Sequence, residues 1–106
     1  MKQETIKEIS ERYKNKFESK GKSLNQKWTK DEIKNVNDMI ESFFEGYLYR
    51  METPYEGYDI IEEDGTTRME KVVNVFISYV ILQKTKGEFL SKKKVIEIMN
   101  LPIYPI

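Results

Sequence analysis

Residues 67–82, TRMEKVVNVFISYVIL, form the most apolar stretch of the chain and decide its fold class. Nine of the eleven residues from Val72 to Leu82 are apolar. The many β-branched side chains would equally suit a buried strand. However, Thr67 and Glu70 have the spacing of a capping box, which marks the start of a helix. The length of the run and the lysines near its end also favour a helix, which we predict over residues 67–85 and expect to be largely buried.

Three further helices are predicted from apolar periodicity and capping signals, over residues 4–20, 29–52 and 91–100. The second helix has the clearest start, because Thr29 and Glu32 make another capping box. Gly21 and Ser23 are expected to end the first helix, and Ser91 is expected to cap the fourth.

The fold class expected from these elements is an all-α single domain of four helices spanning residues 1–106, with the third helix central. A chain of 106 residues has room for one core of ordinary size. The second and third helices are joined by a long loop or a short hairpin that contains the turn pair Asp64-Gly65. The alternative fold class is α+β, with a hairpin near residues 57–71.

The composition limits the chemistry that this protein can carry out. The sequence contains no histidine and no cysteine. These absences exclude thiol nucleophiles, histidine-dependent triads and the usual zinc sites. Catalysis by carboxylates or tyrosines is compatible with the composition, but no motif points to it. We therefore expect a protein that is not an enzyme and that has no cofactor and no metal.

The hydropathy pattern predicts a cytoplasmic protein that does not enter a membrane. The longest mostly apolar run, residues 72–82, is shorter than the roughly 20 residues that a helix needs to cross a bilayer. Residues 1–24 hold scattered apolar residues among many charges, unlike the apolar core of a secretory signal.

The charges are balanced overall but segregated along the chain. The whole chain has 18 basic and 18 acidic residues. Residues 1–34 have ten basic and six acidic residues, residues 35–70 have two and ten, and residues 71–106 have six and two. The acidic middle third could pair with the basic ends of the same chain, with a second copy, or with another protein that has a basic surface.

The first candidate site is a tyrosine-rich acidic segment in this middle third. Tyrosine is enriched at protein interfaces because its apolar ring ends in a hydrogen-bonding hydroxyl. The alternative is a solvated loop whose tyrosines pack onto the core of the protein. The predicted partner-binding residues are Tyr55, Glu56, Tyr58, Asp59, Glu62, Glu63 and Asp64.

The second helix also carries acidic residues on its solvent side, namely Asp38, Glu41, Glu45 and Glu52. This face could dock a cationic partner or a second copy of the chain. Alternatively, it is a solvated face that lysines of the first or last helix partly neutralise.

The second candidate site is a group of lysines around Gly87, where two predicted helices meet as in a helix-turn-helix unit. Lysines at such a junction suit phosphate contacts, but they read base sequence poorly. The predicted nucleic-acid-binding residues are Lys84, Lys86, Lys92, Lys93 and Lys94.

The function expected from these observations is the binding of another protein, as an inhibitor, an adaptor or a regulator, through the acidic tyrosine-rich segment. The alternative is a regulator that binds nucleic acid through the lysines around Gly87. At the carboxyl end, residues 101–106 form an apolar tail that either covers the protein's own core or docks into a partner as an extended peptide.

Overall fold

The computed structural model describes residues 6–50 and 68–104, and these residues fold into four α-helices without a strand among them. The helices are α1 (Ile6–Ser23), α2 (Lys30–Arg50), α3 (Arg68–Thr85) and α4 (Lys92–Met99). The predicted all-α fold class is therefore confirmed. Of the alternative hairpin near residues 57–71, the part from residue 68 onward belongs to α3, and the remainder lies outside the described residues.

The starts of α2 and α4 follow from local side-chain chemistry, as predicted. The Thr29 N–H donates to Glu32 Oε1 at 3.0 Å, and the Glu32 N–H donates to Thr29 Oγ1 at 3.1 Å, which is a complete capping box. At α4, the Lys94 N–H donates to Ser91 Oγ at 3.1 Å. These bonds satisfy backbone donors that have no acceptor within their own helix.

The end of α1 was predicted too early, because the helix continues beyond Gly21 to Ser23. Asn25, with φ of 54°, adopts the left-handed conformation that closes the helix. The Gln26 N–H donates to Gly21 O and the Asn25 N–H to Lys22 O, both at 3.0 Å. This pair of bonds is a Schellman motif in which asparagine takes the position that glycine usually occupies.

The same motif ends α3, with Gly87 at a φ of 87°. The Glu88 N–H donates to Gln83 O at 3.1 Å, and the Gly87 N–H donates to Lys84 O at 2.9 Å. Since glycine has no Cβ, it adopts this backbone conformation without steric strain. The turn directs the chain into the short connection that leads to α4.

The core lies between α3 and the other three helices, and α3 supplies more of it than any other helix. Helix α1 packs on α2 and α3, and α4 also packs on α2 and α3. The buried core residues are Tyr13, Phe17, Val36, Ile40, Phe44, Val73, Phe76, Ile77, Val80, Ile81, Leu90, Val95 and Ile98. The largest of these side chains are aromatic, in a chain that contains no alanine.

The glycine inside α1 allows a tryptophan to approach the helix backbone closely. A Cβ at Gly21 would lie 2.8 Å from Trp28 Nε1. The Trp28 ring also packs edge-on against Phe17, with ring centroids 5.0 Å apart. Gly21 therefore provides the space in which the connection between α1 and α2 folds onto the core.

Within the described part of the apolar tail, residues 101–104, one side chain packs onto the protein's own core. Tyr104 packs against the core, and its hydroxyl donates to Ile98 O at 2.7 Å. Ile103 beside it remains 38% exposed. None of the helices within residues 6–50 and 68–104 is both long and apolar enough to span a membrane.

Candidate functional site

The acidic tyrosine-rich segment lies outside the described residues. All seven predicted partner-binding residues, Tyr55, Glu56, Tyr58, Asp59, Glu62, Glu63 and Asp64, belong to residues 51–67. Their role in binding a partner stays a prediction. The same holds for Glu52, one of the four acidic residues predicted on the solvent side of the second helix.

Of the five predicted nucleic-acid-binding lysines, Lys84 makes contacts within the fold and the other four lie around α4. Lys84, in the last turn of α3, donates to Glu32 Oε1 and Oε2, both at 2.8 Å. Its side chain is 20% exposed, and Nζ lies 5.5 Å from the centroid of the Trp28 ring. The ammonium group of Lys84 is therefore engaged within the fold, although its predicted contact with nucleic acid is not tested by this geometry.

The partner of Lys84 is the most completely buried carboxylate among the described residues. Glu32 is 0% exposed and also accepts a hydrogen bond from the Leu90 N–H at 3.0 Å. Burial by itself raises the pKa of Glu32, but hydrogen bonds from Lys84, Thr29 and Leu90 outweigh it and hold the pKa below its ordinary value. Glu32 thus joins the start of α2 to the end of α3 and to the segment that precedes α4.

The remaining predicted lysines lie around α4. Lys86, Lys92 and Lys93 are exposed, and Lys94 is half-buried. Within the described residues, no carboxylate lies within ion-pairing distance of the three exposed lysines. Their charges are therefore available to a ligand.

Two large apolar side chains are exposed in α4 and in the segment just before it. Phe89, which precedes the helix by three residues, is 55% exposed, and Ile96 within the helix is 40% exposed. Ile96 lies four residues after Lys92 and three after Lys93, so the three side chains are neighbours on one face of α4. We call Phe89, Lys92, Lys93 and Ile96 the α4 outer surface.

The buried side of α4 explains why Ile96 is exposed. Val95 and Ile98 are each 1% exposed, and Leu90 before the helix is 0% exposed. At about 100° per residue, a helix that buries positions 95 and 98 turns position 96 away from the core. Residues 95, 96, 98 and 99 are all apolar in the sequence, and the helical spacing distinguishes the exposed Ile96 from the buried Val95 and Ile98.

The start of α4 is electrostatically unfavourable. Its first turn contains Lys92, Lys93 and Lys94 and no acidic residue. The amino-terminal end of a helix carries a partial positive charge, which repels cations. An external carboxylate or phosphate near this turn would stabilise both the helix dipole and the lysines.

The acidic face of α2 is partly neutralised by α1, in agreement with its solvated interpretation. Lys14 Nζ of α1 lies 2.8 Å from Glu41 Oε2, and this hydrogen bond raises the pKa of Lys14. Asp38 pairs with Lys34 of the same helix at 2.8 Å. Glu45 is exposed. Of the acidic residues predicted on this face, two thus have cationic neighbours.

A cleft of about 280 Å³ lies along this junction of α1 and α2, lined by Lys7, Ser10, Glu11, Lys14, Glu41 and Glu45. The Ser10 hydroxyl is buried and has no hydrogen-bond partner among the described residues. Because this oxygen does not reach solvent, a ligand in the cleft could not contact it without movement of the surrounding side chains.

A second buried carboxylate was predicted only as a helix cap. Glu70 is 7% exposed, and its Oε1 accepts hydrogen bonds from Tyr13 Oη at 3.0 Å and from Arg12 Nη2 at 2.8 Å. Burial, and then the negative charge of Glu70, raise the pKa of Tyr13 to about 12. Tyr13 and Glu70 are 57 residues apart in sequence, so no local pattern could have predicted this contact.

The described residues contain no group of three or more acidic side chains that could hold a metal ion. Comparison with known proteins adds no functional information. A scan against family models finds no match, and searches of curated proteins and of solved structures find none with significant similarity.

Proposed function

We propose that this protein acts in the cytoplasm by binding another protein, as an inhibitor, an adaptor or a regulator, and that it catalyses no reaction. The observation that carries this proposal is the α4 outer surface. Its two large apolar side chains, Phe89 and Ile96, stay exposed although the chain has a well-filled core.

Exposed apolar side chains on the same short segment as exposed lysines are typical of an interaction surface. Large exposed apolar patches often mark binding sites, and Phe89 and Ile96 are two exposed apolar side chains on one short segment of the chain. Phenylalanine and other aromatic residues are also enriched in the buried centre of protein interfaces. Phe89, 55% exposed between the buried Leu90 and the exposed Glu88, has the position of such an anchor.

The buried titratable groups support a protein without catalytic chemistry. Glu32 is bound by Lys84 and two backbone N–H groups, and Glu70 is bound by Tyr13 and Arg12. These carboxylates are enclosed in hydrogen bonds that connect helices. The α4 outer surface, in contrast, offers lysine, phenylalanine and isoleucine side chains, which are binding groups.

The acidic tyrosine-rich segment belongs to this proposal as a second binding surface. Its composition fits a partner with a basic surface, and that partner could be a second copy of the chain. The two surfaces are separable by substitution, since one lies in residues 55–64 and the other around α4.

The proposal is tested by affinity capture from a low-salt lysate of the source organism or its host. Three forms of the protein serve as bait: the wild type, Phe89→Ser with Ile96→Ser, and Tyr55→Ser with Tyr58→Ser. We expect a stoichiometric protein that resists nuclease and is lost with at least one variant whose melting temperature is unchanged. Capture of the same proteins by all three baits, or of none, would contradict the proposal.

Binding to nucleic acid is the second candidate function. Lys86, Lys92 and Lys93 favour it, since they are exposed and have no ion-pair partner within residues 6–50 and 68–104. Phosphate contacts by lysine make binding steeply dependent on salt. Nucleic acid that the wild type captures, and that raised salt or Lys92→Gln with Lys93→Gln removes, would support this candidate. Protein capture that persists under both conditions would count against it.

A further inference from the structure

We infer that the α4 outer surface binds an acidic segment of a partner protein, one that carries both carboxylates and apolar side chains. This inference rests on the proposed function and deepens it, because it specifies the chemistry of the partner at one surface.

The charges in the first turn of α4 favour an anionic partner. Lys92 and Lys93 are exposed and have no carboxylate within ion-pairing distance among the described residues. They also lie in the first turn of the helix, where the dipole disfavours cations. A partner carboxylate at this position would remove two unfavourable interactions at once, so the isolated protein is poised to bind an acidic group.

The apolar residues require that the same partner also carry apolar side chains. Ile96 is exposed on the same face of α4 as the lysines, and Phe89 is exposed three residues before the helix, while Leu90, Val95 and Ile98 are buried. Because these buried neighbours already fix the backbone, little conformational entropy is lost when a partner covers Phe89 and Ile96. A purely polar acidic segment would leave both side chains in water.

The acidic residues around the surface favour a protein over a nucleic acid. Glu88 and Glu97 are both exposed and flank the lysines. Lys84, which could have added positive charge, is held by Glu32 at 2.8 Å. A continuous phosphate backbone would meet both glutamates, whereas a peptide can place its carboxylates selectively. Arginine, the usual base reader, is absent from α4 and from the segment before it.

The first test measures binding of three synthetic helical peptides to the full-length protein by fluorescence anisotropy. The probe peptide has leucine on one face and glutamate on the other. In the second peptide lysine replaces every glutamate, and in the third serine replaces every leucine. We expect measurable binding of the first peptide only, and weaker binding as salt is raised. Equal binding of all three peptides, or of none, overturns the inference.

The second test assigns the binding to α4 with matched variants. Lys92→Gln with Lys93→Gln should weaken binding of the probe peptide roughly 3- to 10-fold, as expected for exposed charge pairs. Phe89→Ser with Ile96→Ser should weaken it about 10-fold or more. The controls are Lys20→Gln with Lys22→Gln, and Leu24→Ser, which alter exposed residues of the same types elsewhere.

Unchanged affinity in both α4 variants, or equal loss in the controls, overturns the inference. A single-stranded DNA of equal charge is measured in parallel, and tighter binding of the DNA than of the peptide also overturns it. The proposed function fails separately, when no protein captured from the lysate is lost with either the Phe89/Ile96 or the Tyr55/Tyr58 variant. If a protein is captured through α4 but the acidic peptide does not compete with it, only the acidic chemistry assigned here is wrong.

Discussion

Replacing Glu32 with alanine should destabilise the protein more than any other single change to a charged residue described here. The side chain accepts four hydrogen bonds, from the Thr29 and Leu90 N–H groups and twice from Lys84. Loss of the cap costs about 1 kcal/mol. The Leu90 N–H, left without its acceptor in a buried position, costs roughly 1–3 kcal/mol more.

Loss of the contact with Lys84 adds less to this destabilisation, because the Lys84 side chain is 20% exposed and its ammonium group can turn towards water when its partner is removed. We therefore expect Glu32→Ala to lower the free energy of unfolding by about 3–5 kcal/mol. Lys84→Met should lower it by about 2–4 kcal/mol, since the Glu32 carboxylate then stays buried without a counter-charge.

The assay is urea unfolding at neutral pH, followed by far-ultraviolet circular dichroism, for the wild type, both single variants and the double variant. The two side chains touch, so the losses should be non-additive by about 1–3 kcal/mol. A loss below about 1 kcal/mol for Glu32→Ala, or additive losses in the double variant, would refute the role given to this carboxylate.

The pH dependence gives an independent measure of the same contact. Because hydrogen bonds hold the pKa of Glu32 below 4.5 in the folded protein, the unfolded chain binds a proton first as the pH falls. The stabilisation is therefore complete above about pH 4.5 and is lost progressively below it. In Glu32→Gln, unfolding free energy should depend less steeply on pH in this acid range, and an unchanged slope would contradict the argument.

Three other perturbations have clear expected outcomes. Gly21→Ala should lower the melting temperature although alanine favours helices, because its Cβ would lie 2.8 Å from Trp28 Nε1. Gly87→Ala should lower the free energy of unfolding, measured in urea, by about 1–2 kcal/mol, and Gly87→Asn should lower it less. The cost comes from the backbone alone, because φ is 87° and a Cβ at this position would contact no other atom. Between pH 10 and about 12 the wild type should lose stability relative to Tyr13→Phe, because unfolded tyrosine ionises before the buried Tyr13 does.

Each of these outcomes has a control or a contradicting result. Ser19→Ala, at an exposed position of α1, should leave the melting temperature nearly unchanged. Equal effects of the alanine substitutions at positions 19 and 21 would show that Trp28 does not press on the helix. Equal stability of the two Gly87 variants would contradict the backbone argument, and parallel alkaline profiles for wild type and Tyr13→Phe would contradict the raised pKa.

The helices were predictable because their signals are local. The apolar run of α3, the Thr29–Glu32 capping box and the Ser91 cap each depend on residues close together in sequence. The end of α1 was not predictable in the same way. Gly21 was interpreted as a helix terminator, but it lies inside α1 and leaves space for the Trp28 ring, a contact that exists only in the folded protein.

The contacts that define the site were beyond sequence reasoning because they join distant residues. Glu32 meets Lys84 across 52 positions, which takes that lysine out of the exposed group around α4. Ile96 is exposed because Val95 and Ile98 form the buried side of the helix, and the packing of α4 on the other helices determines which side that is. The acidic tyrosine-rich segment, which the sequence made the first candidate, stays a prediction.

Site-specific photo-cross-linking tests the central claim, that the α4 outer surface binds a protein, most directly. A photoreactive phenylalanine analogue replaces Phe89 in one form of the full-length protein and Leu24 in a control form, and each is irradiated in source lysate. From this claim we expect one nuclease-resistant cross-linked protein from position 89, none from position 24, and a reduced yield of the product when Lys92 and Lys93 are changed to glutamine. Cross-links to nucleic acid alone, or the same products from both positions, would contradict it.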